Sequence, residues 1–555
     1  MNKLINEKSR AIALIAFSLS LLCWLITIAN TFVTNMNEKS GLSILLMLPW
    51  YFYLGLLFLG IGFVALAKKS NTFLLIVGIS LTVCILFGTY SIIEPNARMG
   101  TSFYPAAMVK QILVQHQLSG NSSSTLSNPY QYFVGFQYYT ASIVTLTGID
   151  LSIVVKYFHL PLIFLIGLLY AIIARKYIVN KYAVTLLPLL ALSASINDQF
   201  YFGPQLLAYS LLVLWLFIFI KRTEGATLGL NLLLLLIFAG ILFTHILTPF
   251  ALILFSVIYY LFSLLKKPDI GEERITVYFP LVFVVAYTLY LEYLAYAIFK
   301  TSIFNVFRSL SSPDVFISSF LSGRQALPTA EIPVKLTNYF SHVFFYIIAL
   351  LLPILFTTYF WIRSTISKKK FNYTFVLLSI WLVSQLFMGF TVYGGEIIGR
   401  IYLFSLPAAI ILTTIFFKNR SYYLIILLFF MLFLHPLAYV GDESYKMTPD
   451  SELVGAQFYA THATDEPYFI QVGAQYIWYY APTRGFESFY TLGMPPYSDF
   501  NEKVELTYII RNTVGKNGFL FHLGYDVLDK HTEYINANYN FVYSNGNYQI
   551  YRKIK

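Results

Sequence analysis

FLLIVGISLTVCILFGTYSIIEPNARMGTSFYPAAMVKQILVQHQ, residues Phe73–Gln117, begins as an apolar run and then breaks into polar sequence after Tyr90. The break carries Glu94, Arg98, Lys110 and His116 close to the end of a segment greasy enough to cross a bilayer. A carboxylate at the lip of a membrane is costly and calls for a reason. The same pattern recurs along the chain. Its 555 residues are 58% hydrophobic and only 11% charged, with a mean hydropathy of +0.67. A soluble globule carries about 25% charged residues. The chain is therefore expected to be mainly α: a polytopic membrane helical bundle with a small α/β domain at its C-terminal end.

A span needs about 20 apolar residues. On that measure about 13 segments qualify: Ile12–Val33, Ile44–Ala67, Phe73–Tyr90, Tyr157–Ala174, Tyr182–Ile196, Gln205–Ile220, Leu228–Phe243, Ile246–Leu265, Thr276–Phe299, Ser341–Ile362, Tyr373–Val392, Arg400–Phe417 and Tyr422–Val440. The first has no small-residue cleavage site after Trp24 and reads as a retained helix. Cys23 and Cys84 lie within apolar runs and imply neither a disulfide framework nor a metal site. With the N-terminus in the cytoplasm, every loop expected on that side is basic, from Lys68 and Lys69 to Lys418 and Arg420. That is the positive-inside pattern. It accounts for the net charge of +11 better than nucleic-acid binding does. An odd number of spans then leaves the C-terminal domain outside the cell membrane.

Tyr132–Thr147 would invert this topology if it crossed, so it is expected to lie in the outer interface, where Tyr132, Phe133, Phe136, Tyr138 and Tyr139 suit the headgroup level. The expected organisation is membrane spans over 1–90, a first external loop over 91–150, the main bundle over 151–440 with an external loop at 300–339, and an external α/β domain over 441–555. The first external loop combines an amphipathic segment (Ala106–Gln117), a Ser-rich linker and the interfacial helix. Asn121-Ser122-Ser123 within it is a weak glycosylation signal. In the last domain, Tyr468–Val472 and Gly518–Leu523 read as strands and Tyr525–Tyr534 as a helix. Asn540–Tyr543 and Tyr548–Lys553 flank Asn545-Gly546, a hairpin signal.

On this topology Glu94, Asn96, Arg98, Asn197, Asp198, Gln199, Thr244, His245, Thr248, Glu396 and Arg400 all fall at external span ends. No run of acids descends a helix, as an ion relay requires, and no paired broken helices point to a transporter. Each residue has a plain alternative. Glu94 could be a loop carboxylate in water, Asp198 a helix terminus and His245 a satisfied interfacial histidine. Arg400 could snorkel, with Glu396 four residues earlier as its partner. Their coincidence on one side suits a reaction at the membrane surface. A carboxylate would act as general base on an acceptor hydroxyl, while Arg and Lys would hold a phosphate leaving group.

GTSFYPAAMVKQILVQHQL, the Ser-rich linker and NPYQYFVGFQYYTASIVTLTGI are followed in order by YFGPQLLAYSLLVL, FTHILTPFALILF and GGEIIGRIYLFSLPAAIIL. On these stretches the chain resembles the C-type membrane glycosyltransferase superfamily, especially large archaeal and bacterial members. The resemblance runs over most of Gly88–Leu434. It implies transfer of a sugar from a polyprenyl-phosphate-linked donor to a glycan, lipid or protein acceptor on the extracytoplasmic face, with no nucleic-acid partner. The family's first external loop presents an acid about where Thr101-Ser102-Phe103-Tyr104-Pro105 stands here. By resemblance Glu94 takes the base role, with Asp198 as the alternative. Arg98, Lys110, His245, Glu396 and Arg400 are candidates for holding the donor phosphate and sugar. No pair of acids stands at ligand spacing, so the residues call for no metal, and a divalent cation stays open as a cofactor. A non-catalytic envelope scaffold and a lipid or glycan transporter are the rival functions. The resemblance implies two extra spans in front, because the family's first loop follows its first span and this one follows the third.

Overall fold

A chain in hydrocarbon has no water to satisfy its amides, so apolar segments of this length form helices. The computed structural model describes residues 2–31, 47–68, 71–116, 132–178, 180–196, 200–222, 224–225, 227–265, 278–296, 300, 333–367, 373–390, 397–417, 419–440, 447–463, 468–470, 474–481, 488–489, 508–512 and 532–554. Among these residues, nine helices are long and apolar enough to cross a membrane: Glu7–Asn30, Trp50–Lys68, Thr72–Ile93, Leu151–Tyr177, Pro204–Arg222, Leu247–Leu264, Phe340–Arg363, Ile398–Phe416 and Ser421–Tyr439. Four shorter apolar helices, Tyr182–Ser193, Leu228–Thr244, Tyr278–Leu294 and Thr374–Gly389, fall where the remaining expected segments stand. The chain is a polytopic helical membrane protein with a small C-terminal domain. The segment Gly135–Thr147 is a helix of 13 residues that leaves Tyr138, Tyr139 and Leu146 exposed.

The helix ends sort onto two faces. On one face Ser9 donates to the Ala65 carbonyl, Lys176 pairs with Glu224 at 2.6 Å, and Arg222 Nε donates to Asn231 at 2.6 Å. On the other, Tyr402 donates to the Ala194 carbonyl at 2.5 Å, Tyr439 to the Phe200 carbonyl at 3.1 Å and Tyr287 to the Ile246 carbonyl at 3.0 Å. The interior between them is aromatic. Trp215 stacks on Phe219 with ring centroids 4.9 Å apart, and Trp381 packs on Phe255 at 4.8 Å. The Trp381 indole N–H donates to the Phe404 carbonyl at 2.8 Å, so the large ring is buried without an orphaned donor.

The C-terminal domain carries a five-stranded sheet. We number its strands β1 (Tyr468–Ile470), β2 (Ser488–Phe489), β3 (Tyr508–Asn512), β4 (Tyr539–Ser544) and β5 (Tyr548–Lys553). The order is β2-β1-β3-β5-β4, parallel around β1 and antiparallel around β5. Gly546, at φ 89°, turns the β4–β5 hairpin where the Asn-Gly pair predicts it. The expected strand Gly518–Leu523, and the expected helix Tyr525–Tyr534 up to residue 531, lie outside the described residues. Two further helices, Asp450–His462 and Ala474–Tyr480, were not expected from the sequence.

The domain does more than sit over the bundle. Phe103, Ala106, Val109, Phe136, Phe158 and Phe202 from the membrane part share one apolar core with Tyr459, Tyr476, Ile477, Ile510 and Tyr548 from the domain. Burying each such large side chain is worth about 1.5–3 kcal/mol. Phe103, Ala106, Val109 and Phe136 thus pack against the sheet domain.

Candidate functional site

The polar break after the third span folds beneath the C-terminal domain. The helix Thr72–Ile93 ends at Glu94, whose N–H still bonds the Tyr90 carbonyl. Pro95 follows and cannot continue the helix. Glu94 is 0% exposed and Arg98 8%. The Arg98 guanidinium donates to the Glu94 carboxylate and lies against two neighbouring rings, 5.6 Å from the centre of Tyr90 and 5.7 Å from that of Tyr439. A buried carboxylate needs such a partner, and the rings give the cation a further favourable contact.

Around this pair, Ser91 Oγ meets His159 Nε2 at 3.0 Å and Lys156 Nζ donates to the Pro95 carbonyl at 3.0 Å. Asn96 donates to the Thr448 carbonyl at 3.0 Å and to Asp450 Oδ1 at 2.8 Å, tying the loop to the chain just past the last span. Met99 then takes a left-handed φ of 68°, uncommon for a residue with a Cβ. A Cβ on the next residue, Gly100, would stand 2.3 Å from Tyr476 Oη, so only glycine lets the two parts approach this closely. Phe103 packs on Tyr476 and Tyr479, and Tyr104 on Trp478.

Lys110 points into the same junction, 4.7 Å from the Tyr479 ring centre and 5.5 Å from that of Tyr480. Burial lowers its ammonium below the usual lysine range, and the nearby Asp150 carboxylate partly offsets this. Hydrogen bonds from Ser152 hold Asp150 below its ordinary range.

A second constellation lies between the helices Leu228–Thr244 and Leu247–Leu265. His245 Nδ1 sits 2.9 Å from Thr248 Oγ1 and accepts the Thr248 backbone N–H at 3.3 Å. Accepting there puts the ring proton on Nε2. Burial, and then the charge of Arg400, push His245 down to about 3, so it is neutral at pH 7. Arg400 is itself buried.

The described residues therefore bring together Glu94 with Arg98, and His245 with Arg400, on the face that also carries the domain. Lys110 is set apart against the domain's tyrosines. Asp198 and Glu396 lie outside the described residues. The chain on either side of Asp198 is anchored, at Ala194 by Tyr402 and at Phe200 by Tyr439. Tyr90, Ser91, Lys156, His159 and Tyr439 belong to the first constellation and were missed in the sequence. A signal was present for His159, an ionisable group inside an apolar run.

No protein-family model and no curated protein matches the sequence. Among solved structures the chain is similar to an Archaeoglobus fulgidus oligosaccharyltransferase tethered through a disulfide bond to an acceptor peptide containing the NVT sequon. The similarity covers 88% of this chain and 75% of that one, at 11% identity and a TM-score of 0.47. At that identity and TM-score no residue's role is carried across the likeness.

Among the described residues no group of three or more His, Cys, Asp or Glu side chains comes together. Glu94 is engaged by a guanidinium and Asp450 by Asn96. Among the described residues, these two carboxylates are therefore already engaged by protein donors.

Proposed function

We propose that this protein transfers a sugar from a polyprenyl-phosphate-linked donor to an acceptor hydroxyl or amide at the face bearing Glu94, with that face extracytoplasmic. The observation that carries the reading is the buried Glu94–Arg98 pair at the end of an apolar helix, roofed by the C-terminal domain. The basic loops at the opposite helix ends support the orientation.

In this reading the donor phosphate draws Arg98 away from Glu94, and Arg400 adds a second positive charge. Glu94 is then released as a general base. It takes the acceptor proton while the acceptor oxygen or nitrogen bonds the anomeric carbon. The carbon–oxygen bond to phosphate breaks, and polyprenyl phosphate leaves with the electron pair, held by the guanidinium. Asp198, outside the described residues, is the alternative base. Neutral His245 donates from Nε2 to a sugar or phosphate oxygen. A non-catalytic scaffold is the second reading, and the complete burial of Glu94 favours it. The test is incubation of the reconstituted protein with polyprenyl-phosphate sugars of several hexoses and pentoses, measuring released polyprenyl phosphate. Release above a protein-free control is expected. No release from any donor, in the presence of cell-envelope extract as acceptor, overturns the reading in favour of the scaffold.

A further inference from the structure

On the face opposite Glu94, an open groove of about 370 Å³ lies between the first two spans and the last. Its walls are apolar, formed by Ile12, Ile61, Val64 and Phe429, and its rim carries Lys8 and Lys68. Ile12 is 50% exposed and Ile61 37%. The floor is fixed in place: a Cβ on Gly60 would stand 2.4 Å from the Phe429 ring, so the ring lies directly across that glycine. The neighbouring hydrogen bond from Ser9 to the Ala65 carbonyl pins the two walls together. Both lysines are exposed at helix ends, and among the described residues neither has a carboxylate partner. Glu7 is exposed nearby but does not line the groove.

An apolar slot at the level of a bilayer leaflet, with two cations at its polar mouth, matches one ligand chemistry: an acyl chain joined to an anionic phosphodiester. We propose that the groove holds one anionic phospholipid, its phosphate between Lys8 and Lys68 and an acyl chain along Ile12, Ile61, Val64 and Phe429. Zwitterionic lipids fit the slot but bring no net charge to the lysines. Each lysine near such a headgroup is worth about fivefold in binding, so the pair gives a preference of about thirtyfold.

The test is native mass spectrometry of the full chain released from mixed dioleoyl phosphatidylglycerol and phosphatidylcholine. The wild type is expected to retain one phosphatidylglycerol in preference to phosphatidylcholine by about thirtyfold. Lys8→Gln/Lys68→Gln, with an unchanged thermal midpoint in phosphatidylcholine, is expected to lose that preference. Ile61→Trp, which fills the slot and keeps both lysines, is expected to lose the retained lipid. Equal retention of the two lipids by the wild type overturns the proposal, as does an undiminished preference in the double variant. Displacement of phosphatidylglycerol from the groove by equimolar polyprenyl phosphate overturns the assignment to a phospholipid.

Discussion

Removing one partner of the Glu94–Arg98 pair should be far more damaging than removing both. Arg98 is 8% exposed and Glu94 0%, so neither charge can turn to water when its partner is lost. Arg98→Met keeps an apolar stem against Tyr90 and Tyr439 but leaves a carboxylate buried in the junction. Breaking a buried pair in this way costs about 3–5 kcal/mol, and loss of the contacts with the two rings adds about 1–2 kcal/mol. Glu94→Gln leaves a buried guanidinium but retains an acceptor, so its effect should be smaller. The double variant Glu94→Gln/Arg98→Met carries no buried charge and should lie within about 2 kcal/mol of the wild type. The coupling between the two sites should be at least about 2 kcal/mol. The assay is thermal unfolding in one detergent, with all four proteins measured side by side. Wild-type stability in Arg98→Met, or a double variant that loses the sum of the two single losses, would refute the reasoning.

Gly100→Val should separate the loop from the sheet domain, because its Cβ would meet Tyr476 Oη at 2.3 Å. A loss of about 1–3 kcal/mol is expected, together with faster proteolytic release of the C-terminal domain; unchanged cleavage would argue against the shared core. His245 is depressed to about 3 in the folded protein and titrates near 6.5 when unfolded. The unfolded chain therefore binds more protons between those values, so stability is full above about 6.5 and falls as the pH drops toward 3. His245→Gln should flatten that part of the stability–pH curve, and an identical curve would exclude His245 as its source. Cysteines placed at Asn545 and Gly225, both exposed and on opposite faces, should be labelled from outside the cell and from the cytoplasm respectively; the reverse pattern would invert the proposed orientation.

The membrane fold was legible because its signal is local. A run of apolar residues long enough to span has one way to satisfy its backbone, and each expected segment coincides with an apolar helix. The β4–β5 hairpin was legible for a similar reason, since Asn545-Gly546 specifies a turn by itself. The helices Asp450–His462 and Ala474–Tyr480 were not. They are short, of mixed polarity, and Ala474–Tyr480 is held by partners far away in sequence, such as Phe103 and Tyr104. The site was legible as a set of residues at helix ends but not as a geometry. Nothing near Glu94 in sequence announces that Tyr439 covers Arg98 or that Asn96 reaches Asp450. Gly100 reads as an ordinary loop glycine until Tyr476 lies against it. The roof over the polar break comes from residues more than three hundred positions along the chain, and its role in sharing a core with the loop follows from packing alone.

We propose that Glu94 or, alternatively, Asp198 takes the acceptor proton during transfer from a polyprenyl-phosphate sugar. The direct measurement is the rate of polyprenyl-phosphate release by the reconstituted wild type, Glu94→Gln and Asp198→Asn, each checked for folding and for donor binding. Loss of a general base lowers the rate by about 10²–10⁴-fold, so one of the two variants should fall by that factor with donor binding retained. Wild-type rates in both would contradict the account.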